Sequence, residues 1–158
     1  MELGNDPATA FSVPPLPAAD PASVVRLFEQ YRLSGELLHL AIADVENDAY
    51  LGEVMVMMCE YQTGEFGCGI VPHARGRGIA TEALGLLATW SVTVLDIRRL
   101  QVLVAQDNAP ALRLAERVGF RREGVLRAYW ERDGNRLDAV MLSMLPGENP
   151  GGESCTSY

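Results

Sequence analysis

The chain has no lysine: all thirteen of its Lys and Arg positions are arginine. That excludes a G-x-x-x-x-G-K-[ST] phosphate loop, whose lysine must reach the β- and γ-phosphates. Cysteine and histidine are also scarce, with Cys59, Cys68, Cys155, His39 and His73 the full set. An odd number of cysteines at wide spacing supports neither a disulfide framework nor a zinc site, so no metal is expected. The two histidines read as structural or surface residues. No apolar run approaches the roughly 20 residues that span a bilayer. The opening "MELGNDPATAF" lacks the basic and apolar regions of a secretory signal. A cytoplasmic protein with no membrane partner is the expectation.

What is present suits one soluble core: 158 residues, 48% hydrophobic and 22% charged. The net charge of −8 is uneven, because residues 1–60 carry ten acidic groups against Arg26 and Arg32, and the remainder is balanced. Sequence-independent nucleic-acid binding is disfavoured by that sign.

The first twenty residues, with "VPPLPAADP", read as a proline-rich leader. Asp20 and Pro21 can start a helix over 22–32 on the apolar positions Val24, Val25, Leu27, Phe28 and Tyr31, ending near Gly35. Strand-like runs at 37–43, 50–61 and 65–71 are separated by "DVENDA" and "QTG", which predicts an antiparallel meander. The pattern turns helical over 79–95, with Ala80, Ala83, Leu84, Leu87, Ser91 and Val94 inward. Gly85 inside it points to close backbone packing. "RLQVLVA" is a buried strand. A helix over 109–118 follows, with Asn108 as its cap, Pro110 in its first turn and Gly119 as its stop. Residues 125–145 form a hairpin whose turn is Asp133-Gly134 or Gly134-Asn135. The domain division is a leader over 1–20, a domain over 21–145 and a flexible tail over 146–158.

The stretch that carries chemistry is "VPHARGRGIATEA", Val71 to Ala83. A helix start presents unpaired amides and the positive end of the helix dipole, and so attracts phosphate. Gly76 and Gly78 let backbone approach an anion, while Arg75 and Arg77 add charge-assisted bonds. A pyrophosphate fits best. A dinucleotide fingerprint on the same glycines would need Gly or Ala where Thr81 stands, and its ribose acid would fall on Asp96 at a helix end. The plain alternative is a solvated turn with two surface arginines.

Arg75-Gly76-Arg77-Gly78-Ile79-Ala80 fits [QR]-x-x-G-x-[GA], and in this the chain resembles the GNAT superfamily of acyl-CoA N-acyltransferases. "GEFGCGIVPHARGRGIATEA" and "AQDNAPALRLAERVGFRREGVLR" are similar to the branch that acetylates N-termini of ribosomal proteins. The resemblance covers about residues 20 to 145. It implies an α/β (α+β) fold: a mixed, mostly antiparallel sheet of about six strands flanked by helices. On this resemblance the first strand and helix of the family are expected to be shortened or missing. It further implies acetyl-CoA held by Ile70, Val71, Arg75, Gly76, Arg77, Gly78, Ile79, Ala80, Thr81 and Asn108, between two strands that splay apart. The partners implied are acetyl-CoA and an amine acceptor, either a peptide N-terminus or a small molecule, with a homodimer possible.

The reaction implied is direct attack of a neutral amine on the thioester with both substrates bound. Candidate acid–base residues are Glu65, Glu131 and Tyr129, with Glu82 and Tyr61 behind them. Each carboxylate has a structural role open to it: a cross-sheet pair for Glu65, the helix dipole for Glu82, an ion pair with Arg136 for Glu131. Where relatives carry a hydroxyl to protonate the leaving thiolate, this chain has Ala111 and Ala115. A non-catalytic CoA-binding or interaction module is therefore the rival expectation. Cys68 reads as a small buried residue rather than a nucleophile.

Overall fold

The computed structural model describes residues 29, 30, 32–132 and 134–148. The leader, most of the helix expected over 22–32 and residues 149–158 of the tail lie outside them. Residues on either side of 31 are helical as far as Ser34 and stop at Gly35, whose φ of +75° suits a glycine.

Strands β1 (Leu37–Ala43), β2 (Tyr50–Cys59) and β3 (Thr63–Ile70) form the expected antiparallel meander. The β1–β2 loop is held by its own side chains: Asp44 Oδ1 accepts from Glu46 N at 3.0 Å and Asn47 Oδ1 from Ala49 N at 2.9 Å. The β2–β3 turn falls earlier than "QTG". Its central residues are Tyr61 and Gln62, with φ of +58° and +55°, closed by Thr63 N donating to Glu60 O at 3.2 Å. Two positive φ values match the right-handed twist of the hairpin, and here non-glycine residues bear the strain. Gly64 is thereby released into the strand. A Cβ there would meet Ile97 Cδ1 at 2.8 Å and Val56 Cγ2 at 2.9 Å.

A single 3-10 turn, Pro72–Ala74, leads into the loop and helix α1 (Ile79–Val94). Then come β4 (Arg99–Ala105), α2 (Ala109–Val118), β5 (Arg121–Arg132) and β6 (Asn135–Met144). The sheet order is β1-β2-β3-β4-β6-β5, six strands, with β3–β4 the one parallel neighbour pair. This is the mixed, mostly antiparallel sheet that the resemblance implies. No helix among the described residues is long and apolar enough to cross a membrane.

Helices α1 and α2 pack on the same face. Val54, Val56, Phe66, Cys68 and Ile70 from the meander join Leu84, Leu87 and Ala88 of α1, Leu112 and Val118 of α2, and Val102, Val104 and Leu142 in one buried cluster. Strand alternation sends the neighbouring residues Glu53, Met55, Glu65, Gln101 and Leu103 to the opposite face. Asn108 Oδ1 caps α2 by accepting from Ala111 N at 3.2 Å, and Gly119, at φ +114°, ends it while Phe120 N returns to Ala115 O at 3.0 Å.

Two details of α1 differ from the sequence reading. Val94 is 61% exposed, because Ile97 takes the inward place below the last turn, its amide donating to Ser91 O at 3.1 Å. Gly85 is not a close-packing site either, since a Cβ there would meet nothing within 4 Å. At the far edge, Arg132 pairs with Asn135, which favours the turn at positions 133–134, although Asp133 itself lies outside the described residues. The β5–β6 ladder is broken between Leu126 and Trp130. There Ala128, at φ +53°, donates its amide to Asp138 Oδ1 at 2.8 Å. The tail expected to be flexible from 146 opens with a bonded turn, in which Leu145 N meets Glu148 Oε2 at 2.9 Å and Arg121 pairs with Glu148 at 3.0 Å.

Glycine substitutions give opposite outcomes here. Gly85→Ala stabilises by about 0.5–1 kcal/mol, because helix propensity is gained without a clash. Gly52→Ala sets a Cβ 2.2 Å from Gly69 O and destabilises by about 1–3 kcal/mol. Denaturant midpoints of the two variants check both.

Candidate functional site

The site begins where β3 and β4 part. Their pairing is confined to Thr63↔Arg99, Gly64↔Leu100 and Glu65↔Gln101, although β3 continues to Ile70 and β4 to Ala105. Beyond Glu65 the two strands diverge. Val71 N donates to Leu51 O at 3.0 Å, which makes Gly52 and Ile70 a non-hydrogen-bonded pair of the β2–β3 ladder. The N–H of Ile70, and by the same alternation that of Cys68, therefore points away from β2 into the gap. Of the two residues expected to face pantetheine, Ile70 offers its amide and Val71 does not.

The glycine loop lies at the open end of this gap. Gly76 and Gly78 have φ of +75° and +82°, and a Cβ on either would meet no atom within 4 Å. The first bond at the helix start runs from Glu82 N to Gly78 O at 3.1 Å. Among the described residues, the amides of Gly76, Arg77, Gly78, Ile79, Ala80 and Thr81 have no hydrogen-bond partner, and no side chain caps the helix. Unpaired donors beside the positive end of a helix dipole form an anion cradle. It fits the diphosphate of a coenzyme A.

The arginines divide their roles. Arg75 Nε donates to Ile70 O at 2.9 Å and so staples the loop to the end of β3, while Arg77 lies 3.9 Å from Asp44 with its side chain 55% exposed. Asn108 is buried at the start of α2 and acts as the cap described above.

The candidate acid–base residues are scattered. Glu65 lies in the part of β3 still paired to β4, where its Oε2 accepts from Gln101 Nε2 at 2.9 Å. Its cross-sheet partner is thus an amide, not an arginine. Behind Gln101 a chain of polar groups runs across the sheet. Arg99 Nε lies 3.4 Å from Gln101 Oε1, Arg99 forks onto Glu123 at 2.9 and 2.6 Å, and Ser143 Oγ donates to Glu123 Oε1 at 2.6 Å. The Arg99 guanidinium, then the Ser143 hydroxyl, hold the Glu123 carboxyl down to about 2. Glu131 stands directly opposite Arg136 on the far hairpin with the pair 3.6 Å apart, and Tyr129 packs edge-on against Trp130 at 5.7 Å. Glu82 is exposed in the first turn of α1. Tyr61 is in the turn that precedes β3, at the end of the strand remote from Ile70. Ala111 and Ala115 are buried in the core and supply no hydroxyl.

A further cluster, on β1 and β2, has no counterpart in the sequence analysis. His39 Nε2 and Tyr50 Oη donate to Glu53 Oε2 at 3.0 and 3.2 Å. The bond from His39 lowers the Glu53 carboxyl despite partial burial, whereas burial and then the Glu53 charge push the Tyr50 phenol up to about 12. The signal was present in "YLGEV": in a strand whose other face is apolar, one acid set among apolar neighbours needs a partner. Burial, then the same Glu53 charge, raises the Cys68 thiol to about 12, so Cys68 is no nucleophile at neutral pH. Among the described residues, no group of three or more His, Cys, Asp or Glu is placed to hold a metal.

Two outcomes follow. Iodoacetamide at pH 8 labels Cys59 and spares Cys68 in the folded protein, as peptide mass mapping will report. Glu123 titrates below its unfolded value, so the stability it contributes is present above about pH 4.5 and is lost as pH falls toward about 2. Glu123→Gln flattens the fall of Tm across that window.

Comparison with known proteins gives the same picture. The profile described as "Acetyltransferase (GNAT) domain" matches residues 1–121. An uncharacterised N-acetyltransferase of Bacillus licheniformis, p20, is 28% identical over 130 residues, covering 81% of this chain and 73% of that protein. The spermidine N(1)-acetyltransferase of Escherichia coli K12 is 29% identical over 94 residues, covering 60% of this chain and 50% of that protein. The chain spans about half the length of several such relatives. A crystal structure of spermidine N-acetyltransferase from Vibrio cholerae, in complex with CoA and spermine, superposes with a TM-score of 0.81 at 21% identity, covering 92% of this chain and 87% of that one. GNAT enzymes draw their acetyl group from acetyl-CoA. With a glycine cradle at a helix start beside two parting strands, and a profile match across most of its length, the chain belongs to the GNAT acetyltransferase family.

Proposed function

We propose that the protein transfers an acetyl group from acetyl-CoA to a primary amine, either a peptide N-terminus or a small cationic molecule, with both substrates bound at once. The observation that carries this is the run of unpartnered amides from Gly76 to Thr81 at the mouth of the β3–β4 gap. Bound acetyl-CoA supplies the thioester whose acyl carbon an amine can attack.

The residues of this chain divide that work. The loop amides hold the diphosphate, with Arg77 adding charge at its rim. The amide of Ile70 faces the gap and is the donor best placed to polarise an acyl oxygen. Arg75, bonded to Ile70 O, fixes the strand end against the loop. A peptide N-terminus needs less help from a base than a lysine-like amine does. An α-amino group with a pKa near 8 is about one-tenth neutral at pH 7. Glu65 lies on the face opposite the helices with Gln101 as an ordered partner, whereas Glu131 is already paired with Arg136. Tyr129 lies with Glu131 on the hairpin.

Two lines support an amine as acceptor. The acidic first sixty residues suit a cation, and relatives of the same fold act on spermidine. The buried Ala111 and Ala115 favour a second reading, a CoA-binding module without turnover.

Acetyl-CoA at a hundred times its Kd should stabilise the protein by about 2.7 kcal/mol, read as a rise in Tm. Gly78→Ala, which strains a left-handed position and places a methyl over the cradle, weakens that binding about tenfold or more. Thiol release with N-terminal peptides, polyamines and amino sugars separates the readings: release with any of them supports transfer, and silence across the panel leaves the module.

A further inference from the structure

The face of the sheet opposite the helices holds a carboxylate whose surroundings have no assigned role. Glu53 pairs with Gly69 across β2–β3, and Gly69 belongs to the stretch of β3 that has already parted from β4. Gly69 has no side chain, and at Gly67 a Cβ would run into Met55 Cγ at 2.8 Å. Glu53 and Gly69 form a hydrogen-bonded pair at a Cα separation of about 5.5 Å, and both Gly67 and Gly69 are buried, Gly67 beneath the Met55 side chain. The side chains of Glu53 and His39 are 29% and 25% exposed, so the carboxylate is reachable from this face without being fully solvated.

Its bonding is one-sided. His39 from β1 and Tyr50 from β2 both donate to Oε2, and among the described residues Oε1 has no partner. An ionised carboxylate only accepts, so the imidazole and the phenol both act on it as donors that orient it. Among the described residues no arginine forms an ion pair with Glu53: Arg75 Nε donates to Ile70 O and Arg77 lies near Asp44. A half-buried anion with one oriented oxygen left over suits an incoming ammonium.

Sidedness adds to this. The glycine cradle opens α1, and α1 packs on the helix-side face. A thioester held between β3 and β4 from that side leaves the opposite face for the second substrate, and Glu53 lies there. Glu65 shares the face but sits about 13 Å further along β3, at four residues of about 3.3 Å each, in the closed part of the pair.

We infer that Glu53, oriented by His39 and Tyr50, is the subsite that receives the ammonium group of the acceptor amine at the mouth of the β3–β4 gap. This rests on the acetyl-transfer reading above and adds to it the residue that selects for a cationic acceptor.

The test uses the full chain saturated with CoA and titrated with spermidine and with a short peptide bearing a free N-terminus, followed by calorimetry. In Glu53→Gln, which keeps shape and bonding capacity, amine binding weakens about tenfold or more, while the Kd for CoA stays within about twofold. Tyr50→Phe, which leaves the charge in place and removes one tether, gives a smaller loss of amine binding. If Glu53→Gln lowers CoA binding as well, the carboxylate is structural and the subsite is rejected. If CoA binds normally and both amines bind wild type and Glu53→Gln alike, or bind neither, the subsite is rejected alone. If CoA itself fails to bind, the transfer reading falls and the subsite falls with it.

Discussion

Pairing between β3 and β4 stops at Glu65↔Gln101, and the rest of the molecule is arranged around that break. A parallel pair that opens inside a sheet leaves backbone donors and acceptors without strand partners, and such groups are costly when buried. The closed end is fastened by side chains, from Glu65 through Gln101 and Arg99 to Glu123 and Ser143. That chain crosses β3, β4, β6 and β5, so the point at which the strands part is set by hydrogen bonds on four strands.

The open end is fixed differently. Arg75 reaches back to Ile70 O, the 3-10 turn at Pro72–Ala74 buries Ala74, and two left-handed glycines then turn the chain into α1. A side chain at Gly76 or Gly78 would stand in open space, so packing does not require glycine there; backbone conformation does. The loop thus keeps its donors outward without a neighbouring element to hold them.

Much of this was legible in the sequence because the signals were local. Asn108, Pro110 and Gly119 bracket α2 with cap chemistry that acts within a few residues, and the R-G-R-G run marks by residue type alone the left-handed turn that opens α1. What escaped depended on partners distant in the chain. Gly85 looked like a packing glycine, yet nothing approaches it; Gly52 and Gly64, in strands, are the ones that close contact requires. Val94 kept the helical period but lost its inward place to Ile97, which the sequence puts in a different segment. The β2–β3 turn used Tyr61 and Gln62 where glycine was the expected residue, because strand pairing set the turn and the residues conformed. Glu53, His39 and Tyr50 lie on two strands and meet only through the register of β1 on β2. Spacing along one chain does not encode that.

The clasp of Asp138 on Ala128 has its own effect at the outer border of the sheet. β5 is the last strand in the order, twelve residues long, and its outward N–H and C=O groups resemble a template for another chain. The clasp divides that template into two segments displaced by two residues in their register against β6. An intruding strand therefore meets two short pairing surfaces with the bulge at Ala128 between them, an interruption achieved without any proline in the strand.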